Sequence, residues 1–132
     1  MKYKRIMLYK EKIYENRDET KPSIEDNLNA LSKEQAEKVA IYLESGHILL
    51  SFVSPTIDPF DQKTRLPVVI YTDGVYIWDS IIIHWVKSYR VKLPEEFLAH
   101  VSKHQTVPNI DLKALGGITV MGKNLEYLWL ES

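Results

Sequence analysis

The sequence predicts an α+β domain, with a mainly antiparallel sheet of five to six short strands packed against three to four helices. Three observations predict it. Apolar, β-branched runs of strand length recur along the chain, and helical apolar spacing appears between some of them. The two patterns do not alternate strictly, as a doubly wound parallel sheet requires. A chain of 132 residues fits one domain, residues 1–132, and can bury enough surface for a single core without disulfide or metal support.

Taken in order, Ile6-Met7-Leu8-Tyr9 reads as a short buried strand, although Tyr3, Ile6, Met7, Ile13 and Tyr14 also satisfy helical spacing. A polar stretch from Glu15 to Lys21 ends that pattern. Ser23, after Pro22 and three residues before Asp26, marks one helix start. Ser32 marks a firmer one. With Gln35 it forms a capping box, and Ala36, Val39, Ala40 and Leu43 follow at helical spacing. The predicted helix covers 33–45, with Gly46 as the left-handed residue that closes it. His47 to Val53, apolar except for Ser51, reads as a central strand. Ser54 to Arg65 holds Pro55, Asp58, Pro59 and Asp61 and reads as a long loop.

Leu66 to Tyr71 is the next strand. Asp73-Gly74 then predicts a tight hairpin with positive φ at both residues, returning through Val75-Tyr76-Ile77-Trp78. Asp79 is placed to cap a helix from Ser80, whose apolar stripe is Ile81, Ile82, Trp85, Val86 and Tyr89. Pro94-Glu95-Glu96 opens a further helix with proline and acids in its first turn, and Phe97, Leu98 and Val101 form its buried face. A short turn at Asp111 to Leu115 and a hairpin of Ile118–Met121 with Leu125–Leu130, around Gly122-Lys123-Asn124, complete the expectation.

Composition excludes several classes. Seventeen basic residues against eighteen acidic ones leave a net charge of −1, so the cationic excess that binds phosphate backbones is missing and no nucleic acid is expected as partner. No run approaches the length of a membrane span, and the apolar stretch before Lys10 is too short for a signal peptide. Absence of cysteine removes a disulfide framework and thiol chemistry. Together these features place the protein in the cytoplasm, without a membrane association.

The titratable residues offer two groupings of chemically useful types. Glu96, His100 and His104, spaced by four, share one helix face, and histidines at i and i+4 can hold zinc. The residue after His100 is Val101, where a zinc protease needs glutamate. The alternative is a pair of solvated histidines near a helix C-terminus. Asp79, Ser80 and His84 supply triad residue types, without the strained turn that presents a nucleophilic serine. Gly116-Gly117 and Gly122 beside Lys123 match no phosphate-binding pattern and read as turn residues. No catalytic residue, metal site or cofactor is expected.

Aromatic residues point elsewhere. Eight tyrosines and three tryptophans exceed what a core of this size must hold, and these residues carry binding energy at protein interfaces. Trp78, Trp85 and Trp129 are assigned to the core, and Tyr71, Tyr76 and Tyr127 to an exposed sheet face. Phe60, flanked by Asp58 and Asp61, is read as an anchor in a polar rim. The expected partner-binding set is therefore Asp58, Phe60, Asp61, Tyr71 and Tyr76.

Thr72-Asp73-Gly74-Val75-Tyr76-Ile77-Trp78 and Leu93-Pro94-Glu95-Glu96-Phe97-Leu98 resemble a family of small bacterial proteins that share T-D-G-x-[YW]-x-W and L-P-x-E-F-L segments. Pro22-Ser23-Ile24 and Leu43-Glu44-Ser45-Gly46 are similar too, so the resemblance spans about residues 3 to 101. It carries no catalytic residues. It implies an immunity-type protein, one that binds and neutralises a cognate toxin by occlusion, and leaves as the alternative a small metal-binding protein or enzyme using the Glu96/His100/His104 face.

Overall fold

A computed structural model of the chain describes residues 3–13, 15–110 and 125–130. The turn expected at Asp111–Leu115, Gly116-Gly117 and the Ile118–Met121 arm with its Gly122-Lys123-Asn124 turn lie outside the described residues. Within them the fold is α+β, a five-stranded mixed sheet with three helices. The order is β1 (Tyr3–Leu8), α1 (Lys33–Glu44), β2 (His47–Ile57), β3 (Arg65–Thr72), β4 (Tyr76–Asp79), α2 (Ser80–Tyr89), α3 (Glu95–Ser102) and β5 (Leu125–Trp129). Single 3-10 turns at Lys10–Lys12 and Glu25–Asn27 punctuate the segment between β1 and α1. The helix start read at Ser23 thus yields only one turn, in which Ser23 Oγ accepts from Asp26 N at 3.3 Å.

Across the sheet the strand order is β2-β3-β4-β1-β5. The β2–β3 and β3–β4 pairs are antiparallel, and the longest ladder runs from His47 opposite Thr72 to Ile57 opposite Arg65. β1 lies between β4 and β5 and is parallel to both. The N-terminal strand is therefore interior, which explains why Ile6 and Leu8 are buried.

Strand alternation divides the side chains between two faces. Trp78 faces the helices and donates from Nε1 to the Leu43 carbonyl at the end of α1, 3.1 Å away. The main core gathers Ile6, Leu8, Val39, Leu43, Ile82, Trp85 and Phe97 around it. Neighbouring Ile77 points the other way, into a smaller cluster with Tyr3 and Ile70. Trp85 is fully buried, as expected, whereas Trp129 is only half-buried and carries the Lys21 ammonium 5.1 Å from its ring centre.

Each helix end has a local cause. Ser32 Oγ accepts from Gln35 N at 3.0 Å and starts α1, which is the serine half of the expected capping box. Gly46 is needed for a different reason than expected. Gly74 is the glycine with positive φ among the described residues, while a Cβ at Gly46 would lie 2.6 Å from Trp78 Cζ2 and 2.9 Å from Tyr71 Cβ. Space, not handedness, fixes that glycine. Arg90, with φ 48°, is the left-handed cap of α2, and the Tyr89 and Arg90 carbonyls accept amides from Asn29, Ala30 and Leu31.

The hairpin at Asp73-Gly74 forms, but only Gly74 has positive φ, at 95°. Thr72 pairs with Ile77, and Asp73 Oδ1 accepts from Val75 N at 2.8 Å and Tyr76 N at 2.7 Å. The side chain closes a wider turn that the tight two-residue reading did not include. Asp79 occupies the cap position of α2 without capping it; its carboxylate pairs with Arg5 and Lys12, each at 2.9 Å.

β2 departs most from expectation. Among the described residues it is one of the two outer strands of the sheet, not a central one, and it continues through Pro55 to Ile57, so the connecting loop shrinks to residues 58–64. Its register with β3 slips between Ile48 and Leu50 and again between Phe52 and Thr56. Bulges and a proline are tolerated on an edge strand, where one side of the backbone needs no ladder partner.

Candidate functional site

The β2–β3 loop packs against α2 through one carboxylate. Asp58 is fully buried. Its Oδ1 accepts from Phe60 N at 3.0 Å and Trp85 Nε1 at 3.1 Å, and its Oδ2 accepts from Tyr89 hydroxyl at 2.6 Å and His84 Nε2 at 3.0 Å. Four donors match the capacity of an ionised carboxylate. Asp61 holds the next turn of the loop, accepting from Lys63 N at 2.8 Å, Thr64 N at 3.0 Å and the Thr64 hydroxyl. Those bonds, led by the Thr64 hydroxyl, keep its carboxyl well below the usual range. Phe60 stacks edge-on against Tyr89 with ring centres 5.0 Å apart.

A second carboxylate does the same work at the β3–β4 turn. Asp73 Oδ2 accepts from Tyr42 hydroxyl at 2.5 Å and His100 Nε2 at 2.8 Å, so the turn is tied to α1 and α3 together. Burial, then the Asp73 hydrogen bond, raises the Tyr42 phenol above its ordinary value. Tyr76 donates to Glu96 at 2.9 Å, and its phenol is raised likewise by burial and then by Glu96.

These placements redraw the residues singled out from sequence. Asp58 and Tyr76 are buried, and Tyr71 is half-buried on the helix side, stacked on Trp78 with centres 6.4 Å apart. Phe60 and Asp61 are partly buried, the Phe60 ring against Tyr89 of α2 and the Asp61 carboxylate on Lys63 and Thr64 of its own loop. Of the three tyrosines assigned to an exposed face, Tyr127 is the exposed one. Aromatic residues flanked by acids look like a contact rim in one dimension; here Asp58 faces inward because Trp85, His84 and Tyr89 supply donors from α2, and Asp61 is taken up by Lys63 and Thr64.

Glu96, His100 and His104 do not converge on a common point. Glu96 bonds Lys4 at 2.6 Å as well as Tyr76, His100 turns to Asp73, and His104 meets His100 by ring contact at 5.9 Å. Nor do Asp79, Ser80 and His84 assemble, since Ser80 Oγ donates to the Pro67 carbonyl at 2.7 Å and accepts from Val69 N. Among the described residues, Asp58, Asp61 and His84 bring possible metal-ligating atoms within 4.8 Å of one another. The oxygens of that group are already taken by the donors named above, so a cation would have to displace them.

A different serine meets His84. Ser88 Oγ lies 3.2 Å from His84 Nδ1, completing a chain from Asp58 through the imidazole to a hydroxyl. Spacing of i and i+4 on a predicted helix was the available signal for this contact. Ser88 sits in the last turn of α2, where a helix presents carbonyl oxygens. That polarity opposes a developing oxyanion. The chain is suited to holding the loop on the helix, with Asp58 fixing the imidazole and Ser88 filling its other nitrogen.

One outward-facing strand is apolar. Nine large hydrophobic side chains are exposed among the described residues, and five belong to β2: Ile48, Leu50, Phe52, Val53 and Ile57. Phe52 is 53% exposed and Ile48 55%. Leu50 and Phe52 sit two apart opposite Ile70 and Val68, hence on one face. No Asp, Glu, Lys or Arg occurs from His47 to Ile57. Ile48, opposite Tyr71, lies on the other face from Leu50 and Phe52, so β2 is apolar on both sides; exposed apolar surface of this kind is a common place of partner contact. No helix of the described residues is long and apolar enough to cross a membrane. Compared with known proteins, the chain matches no family model, no curated protein and no solved structure.

Proposed function

We propose that the protein is a non-catalytic binding module whose contact surface is the outer strand β2. One observation carries this reading: an uncharged strand with five exposed large apolar side chains lies at the sheet edge. Exposed apolar area costs solvation free energy, which association recovers as that area leaves water. Polar groups that could have served chemistry are instead hydrogen-bonded within the fold. The resemblance noted in the sequence supports a bacterial toxin domain as the partner, bound in the cytoplasm and neutralised by occlusion. Such a role needs a complementary surface and no turnover.

The test is co-purification of the full chain with the C-terminal domain of a large secreted protein encoded beside its gene. Capture by the wild-type protein, abolished by Phe52→Asp in a variant that keeps its helical circular dichroism, supports the reading. Capture unaffected by Phe52→Asp moves the contact off β2. No capture, or no such neighbouring gene, removes the toxin as partner.

A further inference from the structure

We infer that Asp58, Asp61 and His84 form a site for one divalent transition-metal ion of the zinc type, which pins the β2–β3 loop to α2. A carboxylate oxygen of each aspartate and a ring nitrogen of the histidine lie within 4.8 Å of one another. In a tetrahedral zinc site, bonds of about 2.0–2.2 Å put neighbouring ligand atoms about 3.3–3.5 Å apart. Asp58 Oδ2 and His84 Nε2, at 3.0 Å, stand near that separation, and Asp61 has at most about 1.5 Å to close. Tyr89 marks the same point. Its hydroxyl donates to Asp58 Oδ2 at 2.6 Å and is also hydrogen-bonded to Asp61. Both carboxylates therefore turn toward one place, where the positive hydrogens of a phenol and an imidazole now stand.

The setting separates this group from an exposed acidic cluster. The Asp58 side chain is fully buried and that of His84 is only 15% exposed, so water screens little of the charge. Asp58 Oδ1 is held by Phe60 N and Trp85 Nε1, which leaves Oδ2 aimed at the ion. Ser88 Oγ, 3.2 Å from His84 Nδ1, stands where a metal-bound imidazole has its outer partner. A hydroxyl both donates and accepts. The imidazole can thus carry its hydrogen on Nδ1, give it to Ser88, and offer the Nε2 lone pair without any net loss of protons. Two carboxylates then balance the two charges of the ion. Mg²⁺ and Ca²⁺ favour all-oxygen sets, whereas an imidazole nitrogen favours zinc. Asp73 and His100 are also joined, at 2.8 Å, but among the described residues they complete no such three-ligand group.

Calorimetric titration of Zn²⁺ into the chelator-stripped full chain tests the site. One ion per chain is expected, with a dissociation constant of about 1 µM or tighter. The thermal midpoint should rise with Zn²⁺ and not with Mg²⁺. His84→Gln, which can still donate to Asp58, and Asp61→Asn should each weaken binding at least about tenfold. Ser88→Ala should weaken it about 10–100-fold by removing the outer partner of the imidazole. His104→Gln, at an exposed histidine outside the group, should leave it unchanged. Ser88 is exposed and Asp61 partly so, and their variants decide the matter if His84→Gln does not fold. Absence of saturable binding overturns the site, as does binding that survives Asp61→Asn and Ser88→Ala undiminished. A midpoint raised equally by Mg²⁺ overturns it too. None of these results bears on β2, whose role as a contact surface Phe52→Asp tests separately.

Discussion

The β2–β3 loop and the strand that leads into it treat their side chains in opposite ways. In the loop, a carboxylate is wholly buried, and Trp85, His84, Tyr89 and the Phe60 amide converge on it. In the strand, one residue before that carboxylate and back to Ile48, apolar side chains stand in water. Residue type alone predicts the reverse on both counts. The difference teaches where each region's free energy is committed. Asp58 is tolerable inside because its donors are all in place, and its work is finished on folding. The exposed side chains of β2 gain little from folding, so their stabilisation is available for association.

The largest effect that would break this contrast is expected at Asp58. Replacing it with alanine leaves an indole N–H, a phenol, an imidazole and a backbone amide without their shared acceptor in a buried place. A loss of about 3–5 kcal/mol is expected, the range for breaking a buried charged network. Urea unfolding monitored by tryptophan fluorescence measures it. Asp61→Ala, which removes bonds to Lys63 and Thr64 within the loop and the lesser one to Tyr89, is the control; equal midpoints for the two variants would mean that Asp58 does not organise the contact with α2.

Alkali provides the next effect. Tyr42, Tyr76 and Tyr89 have phenols raised above their ordinary value, in each case by burial first and then by the carboxylate they bond. The unfolded chain ionises near pH 10, before the folded one can, so proton loss favours unfolding. Stability linked to these groups is complete below about pH 10 and falls as pH rises toward their folded values, by up to about 1.4 kcal/mol per pH unit for each fully linked group. Phenolate absorbance and circular dichroism should therefore change together in an alkaline titration. Ionisation of these tyrosines well ahead of unfolding would show that the carboxylate knots are open to solvent.

Gly46→Ala follows in size. The added methyl meets Trp78 and Tyr71 at distances no real Cβ tolerates, and α1 must shift away from β4. Overpacking of this kind costs about 1–3 kcal/mol, readable as a lower thermal midpoint. A neutral result would mean that α1 can slide on the sheet, and that the tight packing under Trp78 is not what sets the helix position.

Gly46 also shows how far the sequence could be read. That a helix ends there was legible, because capping and spacing are local. Why glycine stands there was not, because Trp78 and Tyr71 reach it across the sheet. The same division holds elsewhere. Ser32, the Asp73-Gly74 turn and the start of α3 follow from neighbours in the chain. Strand order does not, and the placement of β1 between β4 and β5 makes β2 an edge. An apolar run reads identically at the centre of a sheet or at its rim, which is why His47–Val53 was assigned to the interior. Asp58 was singled out for the right loop and the wrong direction, since its donors lie 26 and more residues away on α2.

The smallest expected effect is the most informative for function. Phe52→Lys should change unfolding free energy by no more than about 0.5 kcal/mol, as surface substitutions do, because the ring already lies half in water and lysine is well suited to a strand edge. Phe97, equally aromatic but fully buried between α3 and Trp78, should lose about 3–5 kcal/mol on replacement by alanine. Measured side by side in urea, the pair separates an aromatic ring that holds the fold from one that the fold holds out to a partner. If Phe52→Lys approached the Phe97 value, its ring would belong to the core, and the apolar face of β2 would be explained by folding alone.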